Sequence, residues 1–311
     1  MADRTEPVPL ERAPLAYENT DFLNSSDGRL LRITSEYVEP LSRFRRERIQ
    51  DTVVFFGSAR IRTQEEANRE LEELTTKSKA ASVQQKPDAL NRAQAAVEMS
   101  RYYEDARRLA FLLTEWSKTL GRHRHRFVVT SGGGPGIMEA ANRGAYEAGG
   151  KTIGLNIRLP FEQVPNSFIT PSLNFEFHYF FMRKLWFAYM AKALVVFPGG
   201  FGTFDEMFEV LTLAQTHKLA KKITVLVYGK EYWSKAININ MLIEKGVISP
   251  QDLDLFHYVD TPEEAFAVLK QALIENELPQ ETEPAQLMEL EHPTEKSLEA
   301  FLGPEIAQTR K

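Results

Sequence analysis

The sequence predicts an α/β protein built on a Rossmann-like doubly wound parallel sheet with helices on both faces. Three observations carry the prediction. Short continuous apolar runs of strand length recur, helical apolar patterns alternate with them, and two glycine-rich segments each stand between such a run and such a helix. In folds of this class ligands sit at the carboxyl ends of the strands near a topological switch point, so the glycine segments mark where to look.

Residues 1 to about 28 are polar, carry Pro7, Pro9 and Pro14, and read as an arm. Leu30, Ile33, Tyr37, Leu41 and Phe44 then fall three or four apart, which is helical spacing, with Pro40 expected to kink or divide the helix. Thr52–Phe56, closed by Gly57-Ser58, is the first strand, apolar throughout as a strand buried on both faces should be. Residues 61–90 are rich in Glu, Gln, Lys and Ala and read as an exposed helical insertion with a break near Pro87. From Ala95 through Met99, Tyr102, Ala106, Leu109 and Leu113 to Trp116 the spacing is that of one long amphipathic helix. Further strands are expected at Phe127–Thr130, Thr152–Leu155, Ala193–Phe197 and Ile223–Tyr228, and helices at Ile137–Ala148, Met182–Ala191, Phe204–Gln215 and Pro262–Ile274. The chain thus divides into an N-terminal arm and helix (1–50), a Rossmann-like domain (51–275) and an acidic, weakly ordered tail (276–311).

Composition narrows the chemistry. The 311 residues include 38 Lys and Arg against 43 Asp and Glu, a net charge of −5, which argues against a general grip on nucleic acid polymers or anionic membranes. Zero cysteines exclude disulfides, thiolate metal sites and thiol nucleophiles. The N-terminal stretch MADRTEPVPLERAPL has no apolar signal core, and no run of about 18 apolar residues occurs, so a cytoplasmic protein is expected.

The first glycine segment is Ser131-Gly132-Gly133-Gly134-Pro135-Gly136. Glycines admit a ligand to the backbone, and the free N–H groups of the helix turn that follows attract anionic or polar groups, which makes Gly133 and Gly134 candidate substrate contacts. The alternative is a plain tight turn. The second segment is Pro198-Gly199-Gly200-Phe201-Gly202-Thr203-Phe204-Asp205-Glu206, whose glycines and Thr203 can surround one phosphate. Thr203-x-x-Glu206 also has the form of a capping box, in which Glu206 satisfies an N-terminal amide while the helix dipole keeps its carboxylate ionised. Between the two lie Arg183 and Lys184, about 100° apart on a helix, so that at most one faces inward unless the helix is just starting. His123 and His125 lack a carboxylate partner at metal-binding spacing and read as solvated loop residues, and the aromatics Phe175, Phe177, Tyr179, Phe180, Phe181 and Trp186 read mostly as core or interface.

Gly132–Glu139 (GGGPGIME), Met182-Arg183-Lys184 and the PGGxGTxxE motif at 198–206 together resemble the LONELY GUY (LOG) family, cytokinin riboside 5′-monophosphate phosphoribohydrolases labelled in older naming as lysine decarboxylases. The similarity spans roughly residues 50–275, and the N-terminal extension and 61–90 segment look like the longer bacterial members. Pro135 and Glu139 depart from the short form, where a smaller residue and a glycine are common, a change expected to alter the base pocket.

The resemblance implies Arg183 and Glu206 as catalytic residues, and Lys184, Gly199, Gly200, Phe201, Gly202, Thr203 and Thr212 as nucleotide contacts, with Glu162 a further substrate-contacting carboxylate. It implies hydrolysis of the N-glycosidic bond of a purine nucleoside 5′-monophosphate, of cytokinin type or AMP, to free base and ribose 5-phosphate, by at least a homodimer and without a cofactor. Pyridoxal phosphate chemistry would need a Schiff-base lysine that these motifs do not supply. The competing reading is a nucleotide-binding or sensing protein without turnover, in which Glu206 would serve only the helix.

Overall fold

The computed structural model describes residues 12–80, 87–121, 123–160, 164–218 and 222–278. Its centre is β1 (Thr52–Phe56), where every residue is buried. Alternate side chains enter two cores: Val54 and Phe56 join one, Val53 and Phe55 the other. That double burial is why the run is continuously apolar.

Before β1 come the short α1 (Thr20–Asn24) and α2 (Arg29–Arg46). After it follow α3 (Gln64–Ala80), α4 (Pro87–Ser117), β2 (Val128–Ser131), α5 (Ile137–Glu147), β3 (Thr152–Ile157) and β4 (Asn174–Phe177). The second half contains α6 (Phe180–Met190), β5 (Ala191–Val196), α7 (Phe201–Gln215), β6 (Thr224–Tyr228), α8 (Lys230–Ala236), α9 (Ile239–Glu244), β7 (His257–Val259) and α10 (Pro262–Glu277). The seven strands lie in the order β4-β3-β2-β1-β5-β6-β7, and every pairing is parallel. The chain builds outward from β1 to β4 on one side and then returns to place β5 on the other. The switch point therefore falls between β1 and β5.

One core gathers Leu41 and Phe44 of α2, Trp186 and Phe187 of α6, Met207 and Val210 of α7 and Trp233 of α8. The opposite core gathers Leu109 and Leu113 of α4, Ile137 and Ala141 of α5, and Leu269 and Leu273 of α10. The expected doubly wound arrangement is present.

Pro40 lies inside α2 without dividing it. Proline lacks the N–H that would bond the carbonyl four residues earlier, Glu36. The buried Trp186 indole donates to Glu36 O at 2.9 Å and so fills that vacancy from α6. The Glu36 carboxylate in turn accepts the backbone N–H groups of His178 and Tyr179 at 2.6 and 3.2 Å, tying α2 to the start of α6.

Other differences from expectation are local. The helix anticipated from Ala95 begins at Pro87, a residue suited to a first helical turn, and the region just before it, 81–86, lies outside the described residues. β4 and β7 were not anticipated, being edge strands of four and three residues. Phe175 and Phe177 are core residues of β4, and Trp186 is likewise buried, whereas Phe180 and Phe181 are half exposed. His125 is not merely solvated: its backbone pairs with Ile49, its N–H donating to Arg48 O at 2.8 Å. At the same end of the sheet the buried Asp51 carboxylate accepts from Arg126 Nε at 2.6 Å and from the Phe127 N–H. The acidic tail beyond Leu278 lies outside the described residues.

Candidate functional site

Three loops meet at the carboxyl end of the sheet beside the switch point: Gly57–Arg60 after β1, Gly132–Gly136 after β2, and Phe197–Gly200 after β5. The first loop ties the other two together. Ser58 N–H donates to Pro198 O at 3.0 Å, and Ser58 O accepts the Ile137 N–H at 3.1 Å. Gly136 sits at φ +71° with its missing side chain directed at Ser58 O, which a Cβ would approach to 2.4 Å. A Cβ on Gly199 would lie 2.1 Å from Thr203 Oγ1 and 3.0 Å from Ser58 N, so this junction closes only over glycine.

α7 begins at Phe201, two residues before Thr203, with Gly200 as its N-cap and no side-chain cap. The capping-box reading is thereby corrected. Thr203 is the third residue of the helix, its own N–H bonded to Gly200 O at 2.9 Å, and Glu206 lies beyond the turn whose amides need caps. Among the described residues the N–H groups of Gly199, Gly200, Phe201 and Gly202 have no acceptor within the protein. They form an array of donors at a helix N-terminus, an arrangement suited to an oxyanion.

Glu206 is 6% exposed and accepts from Arg183 Nη2 at 2.9 Å. Burial pushes its carboxyl up to about 7, outweighing the pull of Arg183 and Lys184. The expectation that the helix dipole would keep it ionised fails because the dipole acts over the first turn, whereas Glu206 has passed that turn and left water. The Arg183 guanidinium lies 5.3 and 5.4 Å from the ring centres of Phe180 and Phe187, and its own burial lowers its affinity for the proton against the opposing effect of Glu206. Its Nε is buried without a partner.

Lys184 diverges from Arg183 as helical geometry requires, pairing with Asp205 at 2.8 Å and Glu209 at 3.0 Å on α7 rather than lining the cleft. The cleft has a volume of about 790 Å³. It brings together Arg183, Glu206 and the whole 199–203 loop. Thr212 instead borders a shallow depression with Phe208 and Leu213 on the outer face of α7. Gly133 and Gly134 are likewise off the cleft wall, which Gly132 lines, and their carbonyls accept from Asn166 Nδ2 at 3.0 Å each. Glu162 lies outside the described residues. Pro135 and Glu139 face a neighbouring groove, where Glu139 accepts from Tyr103 OH at 2.8 Å, so they do not shape this cleft; Met138 does.

Several wall residues escaped the sequence reading. Ser58 and Arg60 follow β1, Met99 comes from α4, Leu159 follows β3, and Tyr232 of α8 donates its hydroxyl to Gly199 O at 2.8 Å. The strand–Gly-Ser turn was a usable signal for Ser58 and Arg60. Met99 and Tyr232 reach the cleft from remote helices and carry no local signature.

Comparison with known proteins agrees with the resemblance noted from the motifs. Residues 138–269 match the family model described as "Possible lysine decarboxylase". The chain is similar to a rice protein (Oryza sativa subsp. japonica) named "Probable cytokinin riboside 5′-monophosphate phosphoribohydrolase LOGL3", 29% identical over 133 residues, covering 40% of this chain and 58% of that one. It is also similar to "Cytokinin riboside 5′-monophosphate phosphoribohydrolase LOG2" of Arabidopsis thaliana, 26% identical over 150 residues, covering 48% of this chain and 65% of that one. The chain therefore spans less than two thirds of either relative. Among solved structures, the molybdenum cofactor binding protein from the phototrophic bacterium Rippkaea orientalis aligns with a TM-score of 0.41 at 15% identity, over 72% of this chain and 98% of that one. No helix among the described residues is long and apolar enough to cross a membrane.

Proposed function

We propose that this chain, which resembles the LOG phosphoribohydrolases, hydrolyses the N-glycosidic bond of purine nucleoside 5′-monophosphates, of cytokinin type or AMP, releasing free base and ribose 5-phosphate. The observation that carries the reading is Glu206: a buried carboxyl with its proton affinity raised to about 7, on the wall of a cleft beside an array of free backbone N–H groups. A helix needs no such group at its sixth residue. A carboxylate near neutrality is suited to general-base work.

In this reading the 5′-phosphate occupies the 199–203 loop and its binding energy positions the ribose. As the bond from C1′ to the base nitrogen breaks, positive charge develops on the ribose ring, which the Glu206 carboxylate stabilises. Water adds to C1′ and gives its proton to Glu206, while the electron pair of the broken bond leaves with the base, which is protonated on release. Arg183 orients Glu206 and offers a cation to the departing base. No cofactor enters this scheme. The exposed apolar side chains Phe181, Leu185 and Phe208, beside the cleft-lining Phe201, support a homodimer or larger homo-oligomer formed through α6 and α7.

The test is incubation of the wild type and Glu206→Ala with AMP, other nucleoside monophosphates and isopentenyladenosine monophosphate, with chromatography of free base and ribose 5-phosphate. Release by the wild type and none by a folded variant is expected. Binding without release from any substrate by the wild type would replace this reading with a non-catalytic nucleotide sensor.

A further inference from the structure

We propose that Arg60, in the loop after β1, is the cation that holds the substrate's 5′-phosphate against the 199–203 loop, making the site selective for nucleotides over nucleosides. The proposal rests on the nucleotide reading above and assigns it a residue that neither glycine motif contains.

Charge balance is the first argument. A phosphate monoester brings a charge of about −1.5 to −2 near pH 7. Among the described residues, the charged ones lining the cleft are Arg60, Arg183 and Glu206. Arg183 and Glu206 are paired with each other at 2.9 Å. The motif's other cation, Lys184, is held outside by Asp205 and Glu209. The free N–H groups at the start of α7 supply about half a positive charge between them. Without Arg60 the dianion would enter a cleft whose other cation among the described residues, Arg183, is already bonded to Glu206.

Placement is the second argument. Ser58 N–H is bonded to Pro198 O, and the Arg60 N–H donates to Ser58 Oγ at 3.1 Å, so the backbone bearing Arg60 is fastened to the loop that presents the free amides. Arg60 is exposed and lines both the cleft and the neighbouring groove. That groove is also lined by Glu66, Glu70, Glu73 and Glu139; Glu70 pairs with Arg62 at 2.5 Å and Glu139 accepts from Tyr103, and among the described residues none of the four forms an ion pair with Arg60. Among the described residues the Arg60 guanidinium has no hydrogen bond or ion pair. An exposed arginine with no partner, tethered beside an oxyanion cradle, is free to close on a phosphate with its planar fork.

Calorimetric titration with ribose 5-phosphate, AMP and adenosine tests the assignment in the wild type, Arg60→Gln, Arg60→Lys and the same-loop control Arg62→Gln. Loss of a charge-assisted contact predicts weakening of ribose 5-phosphate and AMP by about 10-fold or more in Arg60→Gln, with adenosine unchanged, partial recovery in Arg60→Lys, and no change in Arg62→Gln. Equal loss for AMP and adenosine, no loss for either, or the same loss in Arg62→Gln overturns the proposal. Binding is read independently of turnover. A wild type that binds AMP but releases no base defeats the catalytic reading and leaves the Arg60 result decisive, and one that binds neither phosphate ligand overturns both.

Discussion

Arg183 Nη2 lies 2.9 Å from Glu206 Oε1, joining the first turn of α6 to the second turn of α7 across the wall of the cleft. The ion pair is largely withdrawn from water, with side-chain exposures of 14% and 8%. Desolvation nonetheless wins over the attraction at the carboxyl, so the two charges do not lock each other into permanent ionisation. A carboxyl so placed exchanges its proton near neutrality, and that property is open to measurement.

If Glu206 is the base, it must be ionised to act, and activity rises with pH through its titration near 7. The expected kcat/KM at pH 6 is about one tenth of that at pH 8, with a single acidic limb. Bound phosphate adds negative charge beside the carboxyl and raises its proton affinity further, so the limb in kcat falls at higher pH than the limb in kcat/KM. Steady-state rates from pH 5 to 9 decide the matter. A flat profile over that range would remove Glu206 from proton transfer.

The same shift is a statement about stability. A carboxyl raised from 4.5 to about 7 binds its proton more tightly in the folded than in the unfolded chain. This contribution to stability is full below pH 4.5, declines as pH rises toward 7, and is gone above it, a change of about 3 kcal/mol at most. Glu206→Gln carries no titrating group and loses that slope, while turnover falls by about 100-fold or more. Urea unfolding of both proteins at pH 5 and pH 8 measures it: the wild type should lose more stability between the two pH values than the variant. Parallel losses would mean that Glu206 titrates normally.

Much of the fold was legible because central strands of a parallel sheet are buried on both faces. β1, β5 and β6 therefore show as apolar runs over residues 53–56, 193–196 and 225–228, whereas β4, an edge strand, alternates exposed and buried over only four residues and hides in an aromatic stretch. The glycine loops were legible as local patterns. The start of α7 was not, since Phe201 is 95% exposed and Gly202 is a weak helix former, so Thr203 looked like the cap. The pairing of Arg183 with Glu206 spans 23 residues of sequence and follows from tertiary packing rather than spacing. That Lys184 turns away from the cleft depends on where Asp205 and Glu209 stand, which no pattern around Lys184 records.

Gly199 is the tightest junction of the site. A Cβ there would lie 2.1 Å from Thr203 Oγ1 and 2.7 Å from its Cβ, and 3.0 Å from Ser58 N. Gly199→Ala must push α7 away from the β1 loop, with an expected loss of about 1–3 kcal/mol. Gly200→Ala is the control, because its Cβ would meet nothing within 4 Å. Thermal unfolding separates them: a drop confined to Gly199→Ala is expected, and equal drops would mean that backbone conformation rather than contact makes glycine necessary.

The bond from Trp186 to Glu36 predicts a coupling with Pro40 across two helices. With Pro40 in place the Glu36 carbonyl depends on the indole N–H at 2.9 Å, so Trp186→Phe removes both ring volume and the partner of that carbonyl. Leaving it unsatisfied adds about 1–3 kcal/mol to the packing loss. In Pro40→Ala the backbone regains an N–H four residues after Glu36, and the helix supplies its own donor. The packing loss from Trp186→Phe should remain on that background, while the hydrogen-bond loss should shrink. A double-mutant cycle over Pro40→Ala and Trp186→Phe is therefore expected to show the two changes costing about 1 kcal/mol less together than the sum of their separate costs. Strict additivity of the unfolding free energies would mean that water replaces the indole at no cost, and that α2 tolerates its proline without help from α6.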